Sequence, residues 1–433
     1  MEQQAEITVV FGPNGSGKTQ YVERLRRQLA SDSVRYLAFS DAYGPATDRA
    51  YYLQLRWNQH DIDEETPCVS ELLDRTLRQT ANEDMARCME LRDQLYQLFN
   101  FSPLLDKYII LLSSGELRKF QLIKTLLANP RTLILDNPYI GLDAQARQQL
   151  DELLPLLATQ RGIHLYLVVA RQSDIPDYAT EVIKIEGNEQ TDSTDTSENT
   201  DVIPRPTTLS SGDDIIDMRH VSIRYGSRTI LKDINWHVKR GERWAVSGKN
   251  GSGKSTLLSL VCADNPQGYA CDIALFGHPR GSGESIWEIK KRIGYVSPEM
   301  HHSYQRNLPT INVVASGLKD TVGLYVRPDE REKALCLKWM ELFGIAHLAQ
   351  RSFITLSSGE QRLALVTRAF VKSPELLILD EPLHGLDDAN SKRVLQIIED
   401  YCKNAENTLI MVSHYDNEIP ACVDKHLFLE QHL

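Results

Sequence analysis

The sequence predicts an α/β protein made of two copies of one domain, each a sheet of buried strands flanked by helices. Three observations predict it. A glycine-rich turn follows a short apolar run twice, an apolar run ending in aspartate occurs twice, and the matched segments keep their register. Lys18 and Lys254 stand 236 positions apart, while Asp136 and Asp380, and Asp143 and Asp387, each stand 244 apart. One net insertion of eight residues in the second copy accounts for the difference, and chance similarity does not hold register in this way.

The first apolar run, Ile7 to Phe11, reads as a buried strand. It feeds Gly12, Pro13, Asn14, Gly15, Ser16, Gly17, Lys18 and Thr19, and then a helix-forming stretch. In the second copy Trp244 to Ser247 feeds Gly248, Lys249, Asn250, Gly251, Ser252, Gly253, Lys254, Ser255 and Thr256. This GxxxxGK[ST] pattern cradles phosphates with backbone N–H groups of the turn and helix N-terminus. Its lysines neutralise the β/γ oxygens, and the hydroxyls of Thr19 and Ser255 ligate Mg²⁺.

Leu133 to Asp136 and Leu377 to Asp380 deliver a carboxylate at the C-terminal end of a buried strand, the edge where open α/β sheets bind ligands. Asp136 and Asp380 are therefore read as metal-side carboxylates. The copies diverge at the next position, which is Asn137 in the first and Glu381 in the second. A carboxylate accepts a proton from an attacking water; an amide does not. Likewise Leu409 to Ser413 leads to His414, whereas Leu165 to Val169 leads to Ala170. His414 is read as a γ-phosphate contact.

Residues 1–186 are expected to form the first domain and 214–433 the second. The intervening 187–213 is rich in Asp, Glu, Ser and Thr, with Arg205 its one base, and is expected to be a flexible acidic linker.

Composition narrows the class. Among 433 residues, 48 Lys and Arg against 59 Asp and Glu leave a net charge of −11, which argues against broad binding of nucleic acid or anionic membrane. No apolar run approaches the roughly 18 residues of a membrane span. The seven cysteines are scattered without CxxC spacing and read as reduced, mostly packed thiols of a cytoplasmic protein. Trp236, Trp244, Trp287 and Trp339 are expected in the core. Arg280 to Glu284 lacks a lysine and reads as a surface loop, and so do His301 and His302, with Glu299 nearby.

Leu112-Ser113-Ser114-Gly115-Glu116 and Leu356-Ser357-Ser358-Gly359-Glu360 resemble the LSGGQ signature of ATP-binding cassette (ABC) ATPases. The resemblance covers nearly the whole chain outside the linker. It implies a RecA-like parallel-sheet core with a helical subdomain in each copy, and two domains packed head to tail. Each ATP would lie between the phosphate loop of one copy and the signature of the other. One site would join Lys18, Thr19, Asp136 and Asn137 to Ser357, Ser358 and Gly359; the other would join Lys254, Ser255, Asp380, Glu381 and His414 to Ser113, Ser114 and Gly115. Hydrolysis is expected at the second. By the same resemblance Tyr225 would stack on adenine, and the first copy, starting at Ile7, would have a truncated N-terminal β-subdomain. Phe39 and Ser40, and Pro298 and Glu299, stand where the family carries a glutamine loop. Asn265 to Tyr269 and Arg280 to Lys291 are similar to two-cassette ATPases named for molybdenum transport and photorepair. These likenesses imply an ATPase serving a transport system through separate permease chains, at the cytoplasmic face of a membrane. A soluble ABC ATPase acting on the ribosome, or a regulator outside transport, is the alternative.

Overall fold

In the computed structural model the chain divides into two compact units, Met1–Glu189 and Gln190–Leu433. The structure describes residues 6–29, 33–38, 67–80, 85–109, 112, 114–186, 214–226, 228–298, 300, 304, 307–321, 327–413, 415 and 418–430. The linker readings, and those for Ser113, Phe39, Ser40, Glu299, His301, His302 and His414, lie outside the described residues.

The first unit contains β1 (Ile7–Phe11), α1 (Lys18–Gln28), β2 (Val34–Ala38), α2 (Val69–Thr80), α3 (Met85–Leu98), α4 (Ser114–Leu127), β3 (Thr132–Asp136), α5 (Ala144–Arg161), β4 (His164–Val169) and β5 (Glu181–Lys184). Its sheet has the order β2-β3-β4-β1-β5 and is wholly parallel. Fully parallel strands are covered on both faces and so need continuous apolar runs, which ITVVF and HLYLVV supply. Helices α2 to α4 are inserted between β2 and β3 and bury Leu73, Leu91, Leu95, Phe120 and Ile123 in one core with Val9, Leu135 and Leu167 of the sheet.

The second unit begins with β6 (Asp214–Tyr225) and β7 (Arg228–Lys239), then β8 (Arg243–Gly248), α6 (Lys254–Val261), β9 (Asp272–Leu275), β10 (His278–Pro279) and α7 (Ile286–Arg292). It continues with β11 (Ile293–Val296), α8 (Thr310–Ala315), α9 (Glu330–Leu342), α10 (Ser358–Phe370), β12 (Leu376–Asp380), α11 (Asp388–Cys402), β13 (Thr408–Val412) and β14 (Lys425–Leu429). Its parallel sheet, β11-β12-β13-β8-β14, repeats the first, and a separate antiparallel sheet has the order β10-β9-β6-β7.

That second sheet covers one face of the parallel core, and the strands reflect it. Ile216, Ile223 and Leu231 pack in one cluster with Val246, Leu376, Ile378 and Ile410. Strand register makes Thr8, Thr132 and Tyr166 the first-unit counterparts of Trp244, Leu376 and Ile410. The corresponding cluster shrinks to Val10, Val22, Ile134 and Val168, bordered by half-buried Tyr21, Tyr36 and Tyr166. Among the described residues of the first unit no antiparallel sheet covers this face, and its side chains are accordingly more polar.

Trp236 and Trp339 are buried and Trp244 half-buried, but Trp287 is 57% exposed, against expectation. The seven-residue α7 anchors itself through Ile289, and a residue two positions away falls on the other side of a helix. The cysteines are all free; Cys88, Cys262, Cys336 and Cys402 are buried. In the Arg280 to Glu284 loop, the Glu284 carboxylate accepts from Arg280, Gly281 N and Ser282 Oγ, which closes the turn on itself.

Candidate nucleotide sites

Parallel register brings the recurrent motifs to one edge. Val10, Val168 and Asp136 form one transverse row in the first unit, and Val246, Val412 and Asp380 form the same row in the second. Each phosphate loop therefore leaves its sheet with one strand, β4 or β13, between its own strand and the strand that carries the aspartate.

The loops are shaped by glycines that no other residue replaces. Gly17 and Gly253 cap α1 and α6 at φ 91 and 94, where a side chain is strained. A Cβ on Gly253 would lie 2.7 Å from Leu231 Cδ2. Lys18 Nζ donates to the carbonyls of Gly12 (2.5 Å) and Pro13 (2.7 Å), and Lys254 Nζ to those of Gly248 (2.7 Å) and Lys249 (3.1 Å). Both ammonium groups thus sit over the loop they follow. Ser16 Oγ, Ser252 Oγ and Asn250 Nδ2 are buried atoms without a hydrogen-bond partner among the described residues. An orphaned buried polar group is costly, and phosphate oxygens supply what these positions lack. Lys254→Ala removes a charged donor worth about 1.5–3 kcal/mol, so nucleotide titration should show an ATP affinity roughly 10- to 100-fold weaker at that loop; unchanged affinity would remove Lys254 from the site.

The ends of β3 and β12 share a backbone conformation and differ in chemistry. Asn137 and Glu381 both adopt φ 51, and both donate N–H to the neighbouring strand, Asn137 to Val168 O and Glu381 to Val412 O, at 2.9 Å. Asparagine tolerates the left-handed region, whereas for glutamate it stores local strain of order 1 kcal/mol, as functional positions often do. In the first unit Asn137 Nδ2 donates to Asp136 Oδ1 and Tyr36 OH to Asp136 Oδ2, each at 2.9 Å. The amide is thereby turned onto the aspartate. In the second unit Asp380 and Glu381 are both buried, 6% and 7% exposed.

A residue type that sequence reasoning passed over fixes these turns. Arg362, buried on α10, donates Nη1 to Ser297 O (2.9 Å), Nη2 to Asp380 O (2.7 Å) and Glu381 O (2.5 Å), and Nε to Pro382 O (3.4 Å). Burial lowers its pKa to about 10, opposed by the Glu381 and Asp380 carboxylates. Arg118 does the same on α4 with longer bonds, 3.3 Å to Ala38 O and 3.3 Å to Asn137 O. The signal was present: Arg118 and Arg362 match at the 244-residue offset, directly after the signatures.

The signature itself acts as a helix cap. Ser357 Oγ accepts from Glu360 N, and Glu360 Oε2 accepts from Ser357 N at 2.7 Å, a capping box on α10. Glu360 is thus a structural member of the motif, and Ser358 and Gly359 open the helix, where N–H groups and dipole favour an anion. Gly115 and Ser114 open α4 likewise. Asp143 and Asp387 cap α5 and α11 by accepting from Ala146 N and Asn390 N, which is why the GLD segments recur. Tyr225, at the end of β6, is half-buried, and its hydroxyl accepts from Asn265 Nδ2 at 3.0 Å.

A family model described as ABC transporter matches residues 3–140 and 231–384. The ABC transporter ATP-binding protein ModF of Escherichia coli is 37% identical over 455 residues, covering 96% of this chain and 89% of that protein. An uncharacterised ABC transporter ATP-binding protein of Schizosaccharomyces pombe is 29% identical over 454 residues, 97% of this chain and 91% of that one. A solved structure titled RNase-L Inhibitor aligns with 98% of this chain and 83% of its own at a TM-score of 0.51 and 17% identity, a likeness of fold. The chain belongs to the ABC transporter family as an ATP-hydrolysing, ATP-binding protein with two cassettes.

Proposed function

We propose that this chain is the ATP-binding and hydrolysing subunit of a transport system whose membrane permease is a separate chain. Turnover is assigned to the site built on Lys254, Ser255, Asp380, Glu381 and His414, and nucleotide holding to the site built on Lys18, Thr19, Asp136 and Asn137. The cassettes pair head to tail, so that Ser113, Ser114 and Gly115 complete the first of these and Ser357, Ser358 and Gly359 the second. The observation that carries the asymmetry is a single position: Glu381 and Asn137 share φ 51 and the same strand end, and only one of them is a base.

The donor set suits Mg²⁺, since Ser255 with Asp380, and Thr19 with Asp136, offer hard oxygen ligands. Bound there, the ion would neutralise charge on the β- and γ-phosphates. The protein's own part is to hold the phosphates on the loop N–H groups and Lys254, and to keep the Glu381 carboxylate beside the attacking water. Glu381 takes the water's proton as the oxygen bonds to the γ-phosphorus and the bond to the β-phosphate oxygen breaks, which leaves ADP and phosphate. Tyr225, pinned by Asn265, offers a ring for adenine.

Among the described residues no helix is long and apolar enough to cross a membrane, which fits a subunit that works on the cytoplasmic face through another chain. The relatives' names support transport. Affinity isolation of the tagged full-length chain from solubilised membranes tests the reading. Recovery of a multi-span permease is expected; recovery of ribosomal subunits with ribosome-stimulated turnover would replace transport by a ribosomal role, and negligible turnover with any partner would make the chain a regulator.

A further inference from the structure

Glu381 does not stand alone at the end of β12. The chain turns immediately after it, with His384 N donating to Glu381 O at 3.3 Å, and this turn brings the imidazole back over the carboxylate. His384 Nδ1 lies 2.7 Å from Glu381 Oε2, and both side chains are only 9% exposed. The first unit makes the same turn, Ile140 N to Asn137 O at 3.3 Å, but places an isoleucine there. The copies thus differ as a pair: carboxylate with imidazole in one, amide with aliphatic side chain in the other. Packing alone does not require a histidine at this turn, because Ile140 is buried in its place at 9% exposure.

Three charged groups face the ring. Glu381 comes from its own turn, Glu418 from the segment after β13 and Arg362 from α10. Glu418 is held by Ser413, whose Oγ donates to Glu418 Oε2 at 2.9 Å, and Arg362 is spent on the carbonyls of Ser297, Asp380, Glu381 and Pro382. Burial pulls the imidazole down, but the Glu381 and Glu418 carboxylates more than offset it, and His384 stays above its ordinary value. Nδ1 reaches Glu381 Oε2 in distance, though its N–H is not directed at that oxygen.

We propose that His384 is a positioning residue for the hydrolytic site: its imidazole nitrogen holds the Glu381 carboxylate in the orientation that receives the proton of the attacking water. This rests on Glu381 being the general base. A carboxylate on a flexible side chain reaches many rotamers, and a partner that selects one of them contributes through orientation, not through binding of ATP.

The test uses the full chain in steady-state ATPase assays with thermal melts beside them. His384→Ile installs the residue of the first copy and removes the nitrogen. His384→Asn keeps an N–H donor near the Nδ1 position. The expected result is a fall in kcat of about 10–100-fold for His384→Ile, the range for groups that orient a functional ligand, with KM for ATP unchanged and the melting point retained. His384→Asn should recover most of the rate. Wild-type turnover in His384→Ile would overturn the proposal, and so would His384→Asn being no faster than His384→Ile, since that pattern reports ring packing. Glu381→Gln measured in parallel separates the two levels. If it turns over normally, the general-base assignment has failed; if it is inactive while His384→Ile is normal, only the positioning role has.

Discussion

Glu381→Gln is expected to lower steady-state ATP turnover by about 10²–10⁴-fold, the contribution of a positioned general base, while ATP still binds. The substitution is nearly isosteric, and the backbone at φ 51 with its N–H on Val412 O makes the same demands of glutamine as of glutamate. Packing around the site is therefore preserved and the loss is chemical. Binding is assigned in the proposed site to the loop N–H groups and Lys254, which the change does not touch. Phosphate release gives the rate and nucleotide titration the affinity. Substantial remaining turnover would move the active base elsewhere, with the Asn137 site the first place to look. The built-in comparison is the first cassette, where evolution of the repeat has left an amide that bonds Asp136.

The second large effect is on stability. Arg362→Met should destabilise the second cassette by about 3–5 kcal/mol, the usual cost of removing one partner from a buried charged network. Methionine replaces much of the volume but none of the donors. The carbonyls of Ser297, Asp380 and Glu381 would lose the bonds from Arg362, at about 1–3 kcal/mol for each one left unsatisfied. For a unit of this size the melting point should fall by roughly 10 °C, read by differential scanning calorimetry. Arg118→Met should cost the first cassette less, because its bonds to Ala38 and Asn137 are 3.3 Å long. A second-cassette melt that does not move in Arg362→Met would mean that the turns after β11 and β12 hold themselves. ATPase loss in this variant is a consequence of those turns relaxing, since Arg362 acts through backbone.

The phosphate loops, the aspartates and the Glu381/Asn137 divergence were legible in the sequence because each is contiguous. A phosphate cradle needs successive N–H groups of one turn, so its glycines, lysine and hydroxyl must be neighbours in the chain. A strand that ends in a carboxylate is likewise a local pattern, and both recur in the second copy, at offsets of 236 and 244 residues that one eight-residue insertion reconciles. The fold class followed from the same contiguity: buried apolar runs feeding glycine turns and helices permit few architectures other than a parallel sheet with its ligand edge at the strand ends.

Only the tertiary structure decided what stands behind those motifs. Tyr36 reaches Asp136 across 100 residues of chain and Arg362 reaches Ser297 across 65, because parallel neighbours are joined by long crossovers whose pairing no local pattern records. Glu360 of the second LSSGE segment is a helix cap, and Tyr225 is tied to Asn265, 40 residues away. His384 is close to Glu381 in sequence, yet its meaning depends on a turn that folds it back and on Glu418 arriving from the segment after β13. Spacing that phosphate geometry imposes made the candidate groups legible in the sequence; the order of strands in the sheet decided which distant side chains hold those groups still.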